Sequence, residues 1–318
     1  MNEDSRFQSL RFEPLDPQNV EKVHHMCEDN VNFVSHELEI FKQATINSNF
    51  FMPEFSIVAL DDADDAIAFF MVQFKKPYVF KKRDVAVLKF FVVREDWRYK
   101  GLGTYIFAEL LSRIKSSKYK CFRMKFDVMV SAPDYWYPGL DPRYTRAFFF
   151  LKKLGFRKGS ERVNLSVDLK ALSQDKPPNQ KNKFLIERAR KEDIEELASL
   201  SFIDKKYRLS YWPQEIRLSF TNSPISTFIA RDTKNNKIIG WATHSVGYPG
   251  CFGPTGVSRK VRGKGLGSLL LKWCLWELKD KGIDECIIRW VSENTTYFYL
   301  KSVGARIGQI YWTMSKRI

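Results

Sequence analysis

The sequence predicts a mixed α/β protein, α+β in the order of its elements, made of two similar domains in tandem, each a twisted mixed sheet flanked by helices. Three observations carry that prediction. A glycine-bearing stretch occurs twice, as VREDWRYKGLGTYIFAELL at 93–111 and as VSRKVRGKGLGSLLLKWCL at 257–275, each time between an apolar strand and an apolar helix. RFEPLDPQNVEKV at 11–23 aligns without gaps with LIERARKEDIEEL at 185–197. LKKLGF at 151–156 aligns with LKSVGA at 300–305, each closing a helix with glycine before a last strand. Three landmarks in the same order in both halves mean a duplicated domain.

The elements follow from the local pattern. Each copy opens with a short strand and a helix start bearing acidic or amide side chains, followed by apolar residues at helical spacing: Val20 and Val23 in the first copy, Ile194 and Leu197 in the second. Antiparallel strands come next. VAVLKFFVV (85–93) is then the strand that feeds the first glycine loop, and TYIFAELLSRI (104–114) the helix that leaves it. In the second copy FGPTGV feeds the loop and SLLLKWCLWELKDKG (268–282) leaves it, with Gly282 as terminator. CFRMKFDV (121–128) and CIIRWV (286–291) read as the strands after these helices. Between the copies, ALSQDKPPNQKNK (171–183) is polar with two prolines and reads as a linker. The expected organisation is therefore a domain over 1–170, a linker over 171–183 and a second domain over 184–318.

Composition narrows the function classes. At 318 residues and 44% apolar content, two domains can each bury a core without disulfides. The cysteines (Cys27, Cys121, Cys251, Cys274, Cys286) are odd in number and form no C-x-x-C pair, and the four histidines lack zinc-ligand spacing. These features predict no metal and suit a reducing cytosol. The start, MNEDSRFQSL, has neither a basic nor an apolar stretch, and no apolar run approaches the ~18 residues of a membrane span; a cytoplasmic protein without a membrane partner is expected. With 52 Lys and Arg against 37 Asp and Glu, the net charge of +15 attracts phosphates of any kind. The positive charges are spread along the chain and no helix-turn-helix or RNP-like signature appears, so nucleic acid is not the expected partner.

The glycine loops carry the chemistry. Glycines at 101 and 103, or at 263, 265 and 267, let backbone amides converge because no Cβ blocks them, and the helix that begins there turns its unpaired N–H groups and positive dipole end on the same point. Arg98 and Arg262 at the loop entrance, Lys264 within the second loop, and the hydroxyls of Thr104 and Ser268 at the exits suit a pyrophosphate. The pattern is neither a Walker A loop nor the dinucleotide G-x-G-x-x-G. A tight strand-to-helix turn is the bland alternative, and its recurrence in matching context argues against it.

These residues resemble the acetyl-CoA-binding signature of the GNAT acyltransferases: a strand ending in valine, then R-x-x-G-x-G opening a helix, here Val93 with Arg98, Gly101 and Gly103, and Val257 with Arg262, Gly263, Lys264, Gly265, Leu266 and Gly267. Phe298-Tyr299 followed by Val303-Gly304-Ala305 resembles the family's second signature. The resemblance implies acetyl-CoA as acyl donor and direct attack of an amine on the thioester carbonyl. The resemblance further implies that the pantetheine arm would pair with the strand before the loop, that a backbone N–H near Val257 or Val93 would polarise the carbonyl, and that Asn294 would contact the cofactor arm. Gly253, Pro254 and Gly256 interrupt the feeding strand of copy two, as expected where two strands part.

The copies are not equivalent. Copy two offers Tyr299 to protonate the departing thiolate, whereas copy one has Phe150 and Leu151 in that region. The expected enzyme is a tandem N-acetyltransferase with a catalytic C-terminal domain and a degenerate or regulatory N-terminal one. The extra segment SAPDYWYPGLDPRYTR (131–146) of copy one either lines an acceptor pocket or caps the sheet edge. Glu293 and His244 are candidates for a proton relay, more readily explained as solvated or structural residues, and Cys251 reads as a buried structural thiol. Three alternatives remain: transfer of a different acyl or aminoacyl group, a non-catalytic acyl-CoA sensor, and a basic nucleic-acid-binding module. The sequence does not name the amine.

Overall fold

Strands that are apolar at nearly every position require cover on both faces, and the N-terminal half is built that way. The computed structural model describes residues 5–33, 37–75, 84–119, 121–126, 138–181, 184–203 and 211–318. The chain divides into two units: Met1–Ser160 with Tyr311–Ile318, and Glu161–Ile310.

In the first unit the elements are β1 (Arg11–Glu13), α1 (Val20–Asn30), α2 (Leu38–Ala44), β2 (Ser56–Leu60), β3 (Ala66–Lys75), β4 (Val85–Val93), α3 (Leu102–Ser116), β5 (Arg123–Phe126), α4 (Thr145–Lys153) and the start of β6 (Arg157–Asp168). β1 to β4 are antiparallel neighbours and β5 joins β4 in parallel, as a crossover through α3 requires. Alternation along β3 sends Phe70 and Val72 into one core with Ile106 and Leu110 of α3, and Phe69 and Met71 into another with Val23 of α1 and Phe41 of α2. α3 and the α1–α2 pair therefore grip opposite faces of the sheet.

The second unit contains the rest of β6, β7 (Gln180–Lys181), β8 (Phe184–Arg188), α5 (Ile194–Ser199), α6 (Trp212–Ser219), β9 (Thr227–Asp232), β10 (Ile238–His244), β11 (Cys251–Val257), α7 (Leu266–Asp280), β12 (Glu285–Val291), α8 (Glu293–Val303) and the start of β13 (Arg306–Arg317). Its sheet runs β6-β12-β11-β10-β9-β8-β7, with β12 parallel to β11 and the other pairs antiparallel. α7 covers one face through Leu270, Cys274 and Leu278, and α5 and α6 cover the other around the fully buried Trp241. Gly304 ends α8 in the left-handed conformation at φ +66°.

Two features depart from the sequence-based boundaries. The strand beside β5 is the end of β13, and the strand beside β12 is β6. Residues 161–168 accordingly count with the second unit and Tyr311–Ile318 with the first, whereas the expectation kept each last strand with its own copy. The linker segment is also tied down: Trp273 of α7 donates to the Pro178 carbonyl at 3.1 Å and Lys279 to that of Leu172 at 2.5 Å. Its residues 182–183 lie outside the described residues.

α7 carries the second glycine loop at its N-terminus, so what anchors the helix positions the loop. Its Glu277 is 3% exposed and receives a bidentate Arg188 from β8 (2.6 and 3.2 Å), with Lys281 at 2.8 Å and His244 of β10 at 3.6 Å. Burial alone raises the carboxyl pKa, but His244, Arg188 and Lys281 outweigh it and hold the group at about 2. A folded value below the unfolded one (about 4.3) means the stabilisation is complete above about pH 5 and fades as the pH falls toward the folded value. Glu277→Gln is expected to lower unfolding stability at pH 7 by about 3 kcal/mol, because it removes the buried carboxylate that Arg188 and Lys281 reach. In urea titrations the gap to wild type should shrink as the pH approaches 3; a gap constant with pH would assign the loss to packing.

Candidate active site

In the second unit two parallel strands begin paired and then part. β11 and β12 pair only at Cys251 with Ile287 and Phe252 with Ile288. β11 is bulged here, since Ala242 faces Thr255 but His244 faces Phe252, so the extra residue falls at Gly253-Pro254. A Cβ placed on Gly253 would meet no atom within 4 Å, so the strand borders open space. Gly256 serves a different purpose: a Cβ there would fall 2.6 Å from the Trp241 ring. At the strand's end Ser258 N–H bonds to Ile239 of β10 at 2.8 Å. By strand alternation the N–H and C=O of Val257 and Thr255 turn to the opposite, open edge, where an extended ligand amide can pair.

The loop after β11 places Gly263 and Gly265 in the left-handed region, at φ +77° and +76°. Leu269 N–H makes the first helical bond, to Gly265 at 3.1 Å. Among the described residues the N–H groups of 263–268 have no acceptor, so Gly263, Lys264, Gly265, Leu266, Gly267 and Ser268 present a cluster of donors at the positive end of α7. Arg262 and Lys264 are exposed beside them, and Leu266 is buried as the loop's anchor. A Cβ on Gly267 would lie 3.6 Å from Phe298 of α8, an ordinary contact, so no clash demands glycine there.

α8 brings Tyr299 to the point where the strands part. Its half-buried ring lies 6.1 Å from Phe252, the last paired residue of β11, and 4.9 Å from Phe298. Burial pushes the phenol well above its ordinary pKa, so it holds its proton at neutral pH. Among the described residues the hydroxyl has no hydrogen-bond partner, which leaves it available to a ligand. Glu293 is exposed in the first turn of α8, and the Asn294 side chain lies outside the described residues. His244 is buried, with Nδ1 hydrogen-bonded to Ser245 at 3.0 Å and Nε2 at 3.6 Å from Glu277, which suits an anchor rather than a base. The Cys251 thiol is buried against the Val246 carbonyl and its pKa is raised by burial.

The first unit repeats the arrangement with changes. β4 and β5 pair at Ala86 with Met124 and Val87 with Lys125, and the residues that follow Phe126, 127–137, lie outside the described residues. The bulge falls at Lys89, the position that Gly253 occupies relative to the closing valine, and this lysine is 3% exposed. Arg98, expected to reach a pyrophosphate, instead donates to the Val93 carbonyl at 2.9 Å and to Asn30 of α1 at 3.0 Å, fastening the loop to the strand end. Gly101 is left-handed at φ +91°, and the Arg6 guanidinium would lie 3.1 Å from any Cβ placed on it. Tyr99 adopts at φ +64° the conformation that Gly263 supplies in the other copy. Phe150 and Val93 crowd Gly103, each standing 3.3 Å from the place a Cβ would take, and Leu151 is fully buried, so neither Phe150 nor Leu151 supplies a proton.

A cavity of about 840 Å³ opens beside β4 in this unit, lined among others by Lys89, Val93, Arg98, Gly101, Gly103 and Thr104. Of the 131–146 segment, residues 131–137 lie outside the described residues; Gly139, Asp141 and Tyr144 contribute to the lining, and Leu140 also bridges to Trp312. Sequence reasoning missed Lys89, Tyr144 and Arg6. A single lysine inside the otherwise apolar VAVLKFFVV was a legible signal for the first.

A model of the acetyltransferase (GNAT) family matches residues 191–304. The chain carries a GNAT acetyltransferase domain. Comparison of its sequence with curated proteins gives no match. In fold the chain is similar to the GCN5-related glucosamine N-acetyltransferase region of a fungal multi-domain GH3 β-N-acetylglucosaminidase, with TM-score 0.74 and 16% identity over 96% of this chain, which spans 38% of that protein's length. It is similar to a GCN5-related N-acetyltransferase from Sphaerobacter thermophilus (TM-score 0.69, 14% identity, 98% of this chain and 96% of that one). It is also similar to a tandem GNAT protein from the clavulanic acid biosynthesis pathway (TM-score 0.66, 15% identity, 97% and 98%). At such identities the likeness is one of fold, and it extends the GNAT fold over both copies. No helix among the described residues is long and apolar enough to cross a membrane.

Proposed function

We propose that the protein is an N-acetyltransferase that moves the acetyl group of acetyl-CoA directly to a small amine, with the C-terminal unit catalytic. The observation that carries this reading is the coincidence, within that unit, of parted strands, an unsatisfied N–H cluster at the start of α7, and a protonated phenol beside the parting point. The residues from Arg262 to Ser268 would take the pyrophosphate, with Asn294 near the arm. The open edge at Val257 would pair the pantetheine amides and turn an N–H toward the thioester oxygen. The amine nitrogen bonds to the acetyl carbon, the carbon–sulfur bond breaks, Tyr299 gives its proton to the leaving thiolate, and the nitrogen releases a proton to water, for which the exposed Glu293 is a relay.

One observation favours a second reading, in which the N-terminal cleft turns over substrate: it encloses about 840 Å³ and holds a phenol of its own, Tyr144, whose oxygen accepts the Phe33 N–H at 2.9 Å. Val93, Gly101, Gly103 and Thr104 would then hold a working cofactor. Under the first reading they hold one that is not consumed, or none. The test is release of CoA thiol from acetyl-CoA across a panel of amines, by the full chain and by Gly101→Val. Retention of most turnover in the variant supports the C-terminal unit. Complete loss, with Gly265 variants active, assigns catalysis to the N-terminal cleft. Absence of thiol release with any amine, beside intact acetyl-CoA binding, would leave an acyl-CoA sensor.

A further inference from the structure

The second unit contains a half-buried cation that the proposed transfer does not use. β12 bulges immediately after its last pairing with β11: against β6, Ile288 faces Leu165 but Val291 faces Val163. Trp290 occupies this bulge at φ +57°, its N–H held by Asn164 at 3.1 Å. A bulky residue in the left-handed region is strained and persists where its surroundings fix it. Cys286 and Ile288 point into the core under α7, so alternation turns Arg289 to the other face, that of α5 and α6.

There the guanidinium carbon lies 3.5 Å from the centre of the Tyr248 ring and 4.7 Å from that of Trp290. One terminal nitrogen, Nη1, is shut off from solvent with no acceptor in hydrogen-bonding geometry, the Tyr248 phenol being the polar group that interacts with the guanidinium, and among the described residues Arg289 forms no ion pair. Among the described residues its charged surroundings are sparse: the neighbouring Cys251 thiol is kept neutral by burial, and no ion pair joins Arg289 to buried Glu215 of α6. A buried charged donor without an acceptor is destabilising, yet here a strained bulge and two aromatic rings hold it in place. Stacked faces leave the planar edge of a guanidinium free, and that edge matches a carboxylate in two-point contact.

We infer that Arg289 reads a carboxylate on the acceptor, so that the amine acetylated by the C-terminal unit is an amino acid or another amine bearing an acid group. This rests on the proposed catalytic role of that unit. Arg289 follows the last paired residue of β12, so it stands at the mouth of the gap opposite Gly253. The phosphates of CoA have their own donors in the α7 loop, which leaves this cation for the other substrate.

The test compares matched acceptors with acetyl-CoA held fixed: phenylalanine against phenethylamine, and β-alanine against ethylamine. The wild type is expected to favour each acid about 10- to 100-fold in kcat/KM, the range that one charged contact supplies. Arg289→Gln should remove that preference by raising KM for the acids, with KM for acetyl-CoA and turnover of the plain amines unchanged. Its Tm should be equal or higher, because an unsatisfied buried charge is gone. Arg289→Lys, which keeps the charge and loses the fork, should recover part of the preference. Equal treatment of acids and plain amines by the wild type, or equal loss for both in Arg289→Gln, overturns the inference. With succinyl-CoA assayed in parallel as donor, a loss in Arg289→Gln confined to KM for that donor also overturns it, since it would place the carboxylate on the acyl chain. Calorimetry with N-acetylphenylalanine separates this from the catalytic reading: binding that Arg289→Gln abolishes supports the acid site even without turnover, and turnover without acid preference refutes the acid site alone.

Discussion

Gly265→Val is expected to abolish acetyl-CoA binding to the C-terminal unit. The residue sits at φ +76° at the start of α7, a conformation that β-branched side chains adopt only with strain of about 1–3 kcal/mol. Relief of that strain would turn the adjacent N–H groups away from their common focus, and the two valine methyls would crowd the pyrophosphate that the proposed function places there. Because the donors of 263–268 act together, affinity should fall about 100-fold or more, equivalent to about 2.7 kcal/mol. The fall in Tm should be only a few degrees, since Leu266, Leu269 and Leu270 still anchor the helix in its core. Calorimetry on the folded variant reads the result, and an affinity equal to wild type would remove this loop from the cofactor site.

Tyr299→Phe is expected to lower kcat about 10- to 1000-fold with little change in acetyl-CoA affinity or Tm. The loss is bounded because a thiolate with a pKa of about 8.5 leaves without much help from an acid. The phenyl ring keeps its contacts with Phe252 and Phe298, and the hydroxyl has no partner among the described residues, so the substitution deletes an interaction made mainly in the transition state. Burial raises the phenol's pKa well above neutrality, so activity should not decline across pH 7–9 through loss of this proton. An unchanged kcat where chemistry limits turnover would end the role of Tyr299 as acid. Parallel losses of activity and stability would make it a packing residue.

Much of the fold was legible in the chain because its signals are local. β4, the helices leaving both loops, and the glycine that ends α8 follow from apolar runs, period and left-handed glycines, all of which act within a few residues. Of the proposed site, the loop glycines and Tyr299 stand in recognisable spacing and were named from the chain alone. The use of Arg98 as a strap between Val93 and Asn30 was not, because Asn30 lies on another element and sequence distance carries no information about such a partner. Arg289 was hidden for the same reason: its isolation depends on a bulge in β12 and on Tyr248 from a different connection.

The sequence by itself determined that there are two copies of one domain, that each has a glycine loop between strand and helix, and that only the second carries a tyrosine in the closing helix. The tertiary structure decided which last strand completes which sheet. β6 and β13 end their copies in the same way and each could hydrogen-bond beside either β5 or β12, since a strand edge offers the same backbone donors and acceptors whatever its side chains. That choice is made by packing, with Met314 buried in the core of the first unit, and Leu165 and Val167 in that of the second. Residues so far apart in the chain meet only when the whole fold has formed.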